Sequence, residues 1–288
     1  MTIDIRPIQT HDEYRAVEQL QREVWGLEEV EVVPNHLLFT SHKNGGLVLG
    51  AFASLPGEGE ERLVGFVFGF VGLTADGQVK HCSHMAGVAP SHQDQNVGYR
   101  LKLAQREHVL GQGMDLVTWT FDPLESRNAR LNFHKLGTTC DTYLRDLYGS
   151  MRDALNVGLP SDRFQVDWHV ASARVAERLQ GEWTGPSLST LQAEGVPIVN
   201  RFPLAELPRP PQKILPIEGD RLLLQIPPHF QAVKAADLGL ARVWRLHTRA
   251  LFEAAFAAGY TAVDLLFEGG QSCYLLERIG FPHEDRTR

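Results

Sequence analysis

Apolar and polar positions along the first half of the chain repeat with the periods of alternating strands and helices. Residues 2–6 alternate with a period of two, which is typical of a strand. From Thr10 to Trp25 apolar side chains recur every three to four positions, which predicts a helix with Thr10 as N-cap and Glu13 in a capping box. The same patterns predict helices after Pro34, at 97–110 and from Ser126 to Gly137, and strands at 47–54, 62–73, 78–88, 116–121 and 138–144.

The order of these elements predicts one mixed sheet, in the α/β to α+β class. The pattern weakens over 151–189, except for an added strand at 163–170, and five prolines between 203 and 216 indicate an extended connector. Strands at 222–226, 261–267 and 272–279 around a helix at 237–258 predict a second, smaller α/β unit. Its strand–helix–strand order repeats the second half of the first. We therefore predict domains at 1–150 and 217–288, joined by a connector at 151–216.

Composition and charge narrow the class of protein. The 288 residues are 43% apolar, so the chain can bury a real core and is not of the disordered class. Its net charge of −7 argues against a nucleic-acid partner, because binding to phosphate backbones requires clustered lysine and arginine. The sequence contains no run of about 18 apolar residues and therefore predicts no membrane span. The N-terminus lacks a basic stretch followed by an apolar one. We expect a cytoplasmic protein.

The cysteines and histidines predict no disulfide and no metal site. Cys82, Cys140 and Cys273 are odd in number and far apart, which is typical of buried, reduced thiols. His81 and His84 flank Cys82 closely, but on a strand their side chains face opposite sides and cannot bind one ion.

The segment from Val88 to Arg100 carries the most informative pattern. It joins a strand to a helix through small residues and residues that tolerate a left-handed backbone, among them Asn96 and Gly98. Such a loop directs several backbone N–H groups at one point and can bind an anion. An ordinary connection between a strand and a helix is the alternative interpretation.

With these residues the sequence resembles the GNAT superfamily of acyl-CoA-dependent N-acyltransferases. The family's loop runs from V-x-P into R/Q-x-x-G-x-G/A, and here Val88-Ala-Pro90 is followed by Gln93-x-x-Asn96-x-Gly98. Asn96 stands where the family usually has glycine, a departure that asparagine's tolerance of the left-handed conformation accommodates. The order of elements up to about residue 150 and the ending Lys135-Leu-Gly137 are similar as well.

The resemblance implies a GNAT fold, a degenerate copy of part of it in the C-terminal domain, and acetyl-CoA or another acyl-CoA as co-substrate, without a metal. Strand residues Met85, Gly87 and Val88 would meet the pantetheine amides. The backbone amides of Gln95, Asn96, Val97, Gly98 and Tyr99 would hold the pyrophosphate, Gln93 would brace the loop, Arg100 would add a charge, and Ser126 and Asn128 would contact the pantetheine arm. A solvated Arg100 and a helix-capping Ser126 are the alternatives. Because Pro227-Pro-His-Phe replaces the loop in the second unit, we predict one cofactor site per chain.

Three residues are candidates for the general base that takes the proton of the amine. His84 has a suitable pKa for this role, Glu31 lies where related enzymes bind acceptors, and Asp122 ends a strand beside the expected thioester. A structural histidine and a turn-opening aspartate are the alternatives for His84 and Asp122. The tyrosine that often serves as general acid is replaced by Phe133, and Tyr143 is the nearest other hydroxyl.

We therefore predict an N-acyltransferase that moves an acetyl or succinyl group to the amine of a small molecule, an amino acid among the candidates. For succinyl-CoA, Arg127 or Arg130 would meet the distal carboxylate. A GNAT-fold protein without catalysis, which binds CoA or serves as a scaffold, is the alternative. The second unit would cover the acceptor or form a homodimer surface.

Overall fold

The computed structural model describes residues 2–54, 61–149, 157–181 and 183–278. They divide into two compact units. The first takes the described residues of Met1–Thr120, Met151–Val157 and Asp167–Ala173, and the second those of Phe121–Ser150, Gly158–Val166 and Arg174–Arg288. These units are discontinuous along the chain, so the contiguous domain ranges stay a prediction.

Strands and helices alternate in the order predicted from the sequence, which confirms the mixed α/β class. The first part of the chain contains β1 Thr2–Pro7, α1 His11–Trp25, α2 Asn35–Lys43, β2 Leu47–Ser54, β3 Glu61–Leu73, β4 Val79–Val88, α3 Val97–Gly111 and β5 Leu116–Phe121. The later part contains α4 Ser126–Ala129, β6 Thr139–Leu144, β7 Arg163–His169, α5 Ala173–Gln180, α6 Leu188–Ala193, β8 Arg221–Ile226, α7 Phe230–Ala236, α8 Leu238–Ala257, β9 Thr261–Glu268 and β10 Gln271–Glu277.

The first unit is a sheet with helices on both faces. Strands β1 to β4 pair in sequence order and antiparallel, and β5 joins β4 in parallel. Helices α1 and α2 cover one face with a core that includes Val17, Leu38 and Phe66. Helix α3 covers the other face through Val97 and Leu101. The predicted capping box of Thr10 and Glu13 is present at the start of α1.

The second unit contains the strand order β6-β9-β10-β8. Strand β10 lies between β8 and β9 and is antiparallel to both. The order β8-α8-β9-β10 matches the strand–helix–strand order that the sequence predicts for the smaller unit.

Some local predictions are wrong. Helices α5 and α6 lie where the weak periodicity predicts no helix. Ser126 is the first residue of α4, and Glu125 holds the N-cap position that the alternative interpretation gave to Ser126. Helix α4 continues as a π-helical turn over Arg130–Lys135 before Gly137 ends it.

Cys140 and Cys273 are buried, Cys82 only half-buried, and all three are free thiols. Residue 279 of the last predicted strand lies outside the described residues.

None of the described helices is both long enough and apolar enough to cross a membrane.

Candidate functional site

Strands β4 and β5 form a fork in the first unit. Their parallel pairing consists of His81 with Val117 and Cys82 with Thr118. Beyond Cys82, β4 continues for six residues to Val88 and stays paired with β3. Within the described residues no further β4–β5 pairing follows, so the edge of β4 that faces β5 offers backbone groups to a ligand.

A β-bulge shapes β4 just beyond this fork. Phe68 of β3 pairs with Met85 and Gly69 with Ser83, so His84 is the extra residue of the bulge. Bulges re-aim side chains and are common beside active sites. Gly69 of β3 lies opposite this bulge and closely approaches β4, because a Cβ at Gly69 would lie 2.2 Å from Nε2 of His81.

The bulge presents the His84 ring beside two aromatic side chains of β3. The ring centroid lies 5.7 Å from that of Phe68, edge to face, and 5.9 Å from that of Phe70. One side of the ring remains exposed. Desolvation by its neighbours lowers the pKa of His84 below its ordinary value of 6.5, so the ring is neutral at pH 7 and can accept a proton.

The loop after β4 has the backbone that the sequence predicts. Asn96 adopts the left-handed conformation, with φ of 57°, and precedes the first turn of α3. Asp94 is also left-handed, with φ of 69°. The side-chain amide of Gln93 donates a hydrogen bond of 3.3 Å to the carbonyl of Val88, and that of Gln95 donates one of 3.4 Å to the carbonyl of Ser91. These bonds tie the loop to the end of β4.

The first turn of α3 presents the backbone amides of Val97, Gly98 and Tyr99. Backbone amides at the start of a helix can bind anions. A Cβ added at Gly98 would meet only Val88 Cγ2, at 3.8 Å, so this glycine leaves open space beside the amides. Arg100 follows, and its guanidinium donates to the carbonyl of Ile3 at 2.8 Å. Its charge is therefore held at β1.

Glu31 and Gly87 lie on the α1 and α2 side of the first unit. Glu31 ends a short 3₁₀ helix, Glu29–Glu31, and its Oε2 atom is buried without a hydrogen-bond partner. A buried carboxylate oxygen of this kind is rare unless a ligand supplies the donor. Gly87 faces the ring of Trp25, which a Cβ would approach to 2.9 Å.

Asp122 belongs to the second unit, where an ion pair occupies its carboxylate. Both oxygens accept hydrogen bonds from the guanidinium of Arg245, and Oδ1 also accepts one from the amide of Leu124. Burial alone would lower the pKa of Arg245, but the charge and hydrogen bonds of Asp122 outweigh burial and raise it. The structure thus gives Asp122 a permanent partner, whereas a general base needs a free lone pair.

The remaining predicted residues of the second unit have clear surroundings. The hydroxyl of Ser126 lies 2.7 Å from that of Ser272, and Asn128 is exposed. Phe133 is fully buried, with its ring against Phe121, Phe164 and Tyr274. No hydroxyl acid can act from its position.

Tyr143, the nearest other hydroxyl, donates to Asp162 at 2.7 Å. Its hydroxyl is therefore engaged inside the second unit.

The second unit also contains a cavity that the sequence did not predict. It has a volume of about 340 Å³ and is lined by Glu125, Ser126, Arg127 and residues 228–232. Burial raises the pKa of Glu125, and the nearby charge of Asp122 adds to this effect. The Glu125 carboxylate accepts a hydrogen bond from Gln231, which is 106 positions away in the sequence. Local periodicity carries no signal for such a pairing.

The left-handed loop is the feature that the sequence resemblance implies for the connection after β4. The chain resembles the GNAT superfamily. Solved structures similar to it include a NatC complex bound to Gag peptide and CoA, which is 12% identical, with a TM-score of 0.48, over 59% of this chain and 99% of that one. Another is the ribosomal-protein-S18-alanine N-acetyltransferase from Escherichia coli, which is 13% identical, with a TM-score of 0.44, over 60% of this chain and 96% of that one.

A GNAT-family acetyltransferase from Desulfovibrio desulfuricans is 15% identical, with a TM-score of 0.44, over 59% of this chain and all of that one. Neither a family model nor a curated protein sequence matches the chain. The described residues contain no group of three or more histidine, cysteine or acidic side chains placed to hold a metal ion.

Proposed function

We propose that the chain is an acyl-CoA-dependent N-acyltransferase that transfers an acyl group from the CoA thioester to the amine of a small molecule. The observation that carries this proposal is the left-handed Asn96 backbone at the start of α3, directly after the β4 side of the fork. There the helix amides can hold a pyrophosphate while the open edge of β4 pairs with the pantetheine amides. An amino acid is a suitable acceptor class.

The reaction needs positioning and one proton acceptor. The amine nitrogen attacks the thioester carbonyl carbon, the C–S bond breaks, and the CoA thiolate departs. Backbone N–H groups of β4 would polarise the carbonyl oxygen, and neutral His84 would take the proton that the amine loses. Because Phe133 replaces the usual acid, the thiolate leaves without a proton from that position. Glu31 is the second candidate for the base.

A CoA-binding protein without turnover is the second candidate function, and the buried Phe133 favours it. Binding and turnover therefore need separate assays. The homodimer and the cytoplasmic location stay predictions from the sequence.

Calorimetric titration with acetyl-CoA, succinyl-CoA and desulfo-CoA tests the proposed site. Gly98→Trp fills the open space beside the loop amides, and we expect it to weaken binding of all three by at least about 100-fold, which is ~2.7 kcal/mol. Gly111→Trp, at the opposite end of the same helix, is the matched control, since a Cβ at Gly111 meets nothing within 4 Å. No binding to the wild-type protein, or equal loss in both variants, would contradict the proposed site.

A second assay separates the two functions. It measures the release of free thiol from the bound thioester in the presence of a panel of amines. Amine-dependent release establishes the transferase. Tight binding with no release for any amine favours the protein without catalysis.

A further inference from the structure

A lysine amine is buried inside the first unit. Lys102, on the second turn of α3, is only 5% exposed. Its Nζ atom donates hydrogen bonds to Ser83 Oγ at 2.7 Å and to Gln105 Oε1 at 3.1 Å, and it lies 3.9 Å from the centre of the Trp119 ring. Two of its N–H donors are thus engaged, and the face of the Trp119 ring lies beside the same atom.

No counter-charge accompanies this amine. Its three contacts are neutral, and none of the ion pairs among the described residues includes Lys102. Gln105 also bonds to the Ser83 hydroxyl and to His81, whose pKa is lowered as well, and neither of these groups is an anion. Burial lowers the pKa of Lys102 to about 7. Burying a charged group without a partner costs free energy that a methionine of similar shape would not cost.

The amine lies at the apex of the fork. Cys82 and Thr118 are the last paired residues of β4 and β5, and the next residue on each strand is Ser83 and Trp119. Both of these contact Nζ of Lys102. Ser83 precedes Val88 by five residues, which places the amine about 17 Å along β4 from the start of the loop. A ligand that is held at the loop by one end and extends along β4 therefore brings its other end close to Lys102.

We propose that the acyl group transferred by this protein carries a carboxylate at its far end, as in the half-thioesters of short dicarboxylic acids, and that Lys102 receives that carboxylate at the apex of the fork. This inference rests on the proposed function, because that function places the thioester against β4 beyond the bulge. The carboxylate would accept a hydrogen bond from Lys102 and supply the missing negative charge. The methyl group of an acetyl thioester would leave the amine without a counter-charge.

The competing candidates from the sequence are less suited to this role. Arg127 and Arg130 are exposed side chains of the second unit. Water and salt screen an exposed charge strongly, so either arginine would discriminate weakly between acyl groups. The desolvated amine of Lys102 interacts more strongly with an anion.

Competition calorimetry between succinyl-CoA and acetyl-CoA tests the inference, with desulfo-CoA as a ligand that has no acyl group. We expect the wild-type protein to bind succinyl-CoA at least about 10-fold more tightly than acetyl-CoA, which is ~1.4 kcal/mol. Lys102→Met should remove this preference and leave the affinity for desulfo-CoA unchanged. Its thermal midpoint should equal or exceed that of the wild type, because the variant buries no charge. Lys102→Gln provides a second variant that keeps one hydrogen bond.

Lys80→Met is the matched control. Lys80 lies on β4 just before the residues that pair with β5, so this variant also removes one lysine charge but should keep the preference for succinyl-CoA. Equal affinity of the wild type for the two thioesters, or a preference that survives in both Lys102 variants, would overturn the inference. Loss of the preference in Arg127→Ala or Arg130→Ala alone would overturn it as well. If desulfo-CoA fails to bind the wild type, the proposed function itself is wrong, which is a distinct outcome.

Discussion

The ion pair between Asp122 and Arg245 gives a sharp test of whether Asp122 is a structural or a catalytic residue. The side chain of Arg245 is 2% exposed and that of Asp122 is 10% exposed. A second guanidinium is also near, because Nη1 of Arg163 lies 4.0 Å from Oδ2 of Asp122. Asp122→Asn keeps the shape and the acceptor for the Leu124 amide, removes the negative charge, and replaces the second oxygen, which accepts from Arg245, with an NH2 donor. It leaves Arg245 buried without the counter-charge to which it is hydrogen-bonded.

The expected cost follows from this burial. Removing one partner of a buried ion pair destabilises a protein by about 3–5 kcal/mol. At about 2–4 °C per kcal/mol for domains of this size, the thermal midpoint should fall by roughly 10 °C. Adding Arg245→Met removes the orphaned charge, so the double variant should be more stable than the sum of the single effects by at least about 2 kcal/mol.

Urea unfolding of the wild type, both single variants and the double variant measures this coupling. Arg145→Ala is the control, because it breaks an ion pair between Arg145 and Glu253 in which Arg145 is 64% exposed. Such a pair is screened by water, and we expect no measurable change.

A free energy of unfolding for Asp122→Asn within about 1 kcal/mol of the wild type would refute the reasoning, and so would additive effects. A 100-fold loss of kcat at a temperature where the variant is folded would instead restore Asp122 as the base.

Two further predictions concern the bulge. The kcat/KM of the wild type should rise with pH and level off through a pKa below 6.5, because the neutral imidazole of His84 is the reactive form. His84→Gln should lower kcat by about 10²–10⁴-fold and remove that inflection, whereas an unchanged profile would favour Glu31. Gly69→Ala would place a Cβ 2.2 Å from His81 Nε2 and 2.8 Å from the Cys82 carbonyl oxygen. It should cost about 1–3 kcal/mol in urea unfolding, and no loss would contradict the close approach.

Features that depend on neighbouring residues could be predicted from the sequence. The capping box of Thr10 and Glu13 lies within four residues, and the left-handed Asn96 follows from its position between a strand and a helix. The bounds predicted for β2 agree with the structure, because glycine-rich residues 44–46 precede its apolar run and proline- and glycine-rich residues 56–59 follow it. In each case the determining interactions are local, so the period of the pattern carries them.

Features that depend on distant partners could not be predicted. The partners of Asp122, Ser126 and Glu125 lie 123, 146 and 106 positions away. Sequence spacing shows that Asp122 ends a strand, but not that a guanidinium from α8 neutralises it. The charged amine of Lys102 was missed for a related reason. On a helix it has the spacing of a core position, and only the fork shows what it faces.

The connection after β8 explains why one cofactor site per chain is expected. Strand β8 is followed by Pro227 and Pro228, whereas β4 is followed by the loop that contains Asn96 and Gly98. Proline has no N–H, so this connection lacks two of the backbone donors that an anion needs. Helix α7 then begins after His229 without a left-handed residue at its N-cap. The second unit therefore has a strand followed by helices, but the connection between them lacks the chemistry that binds a pyrophosphate.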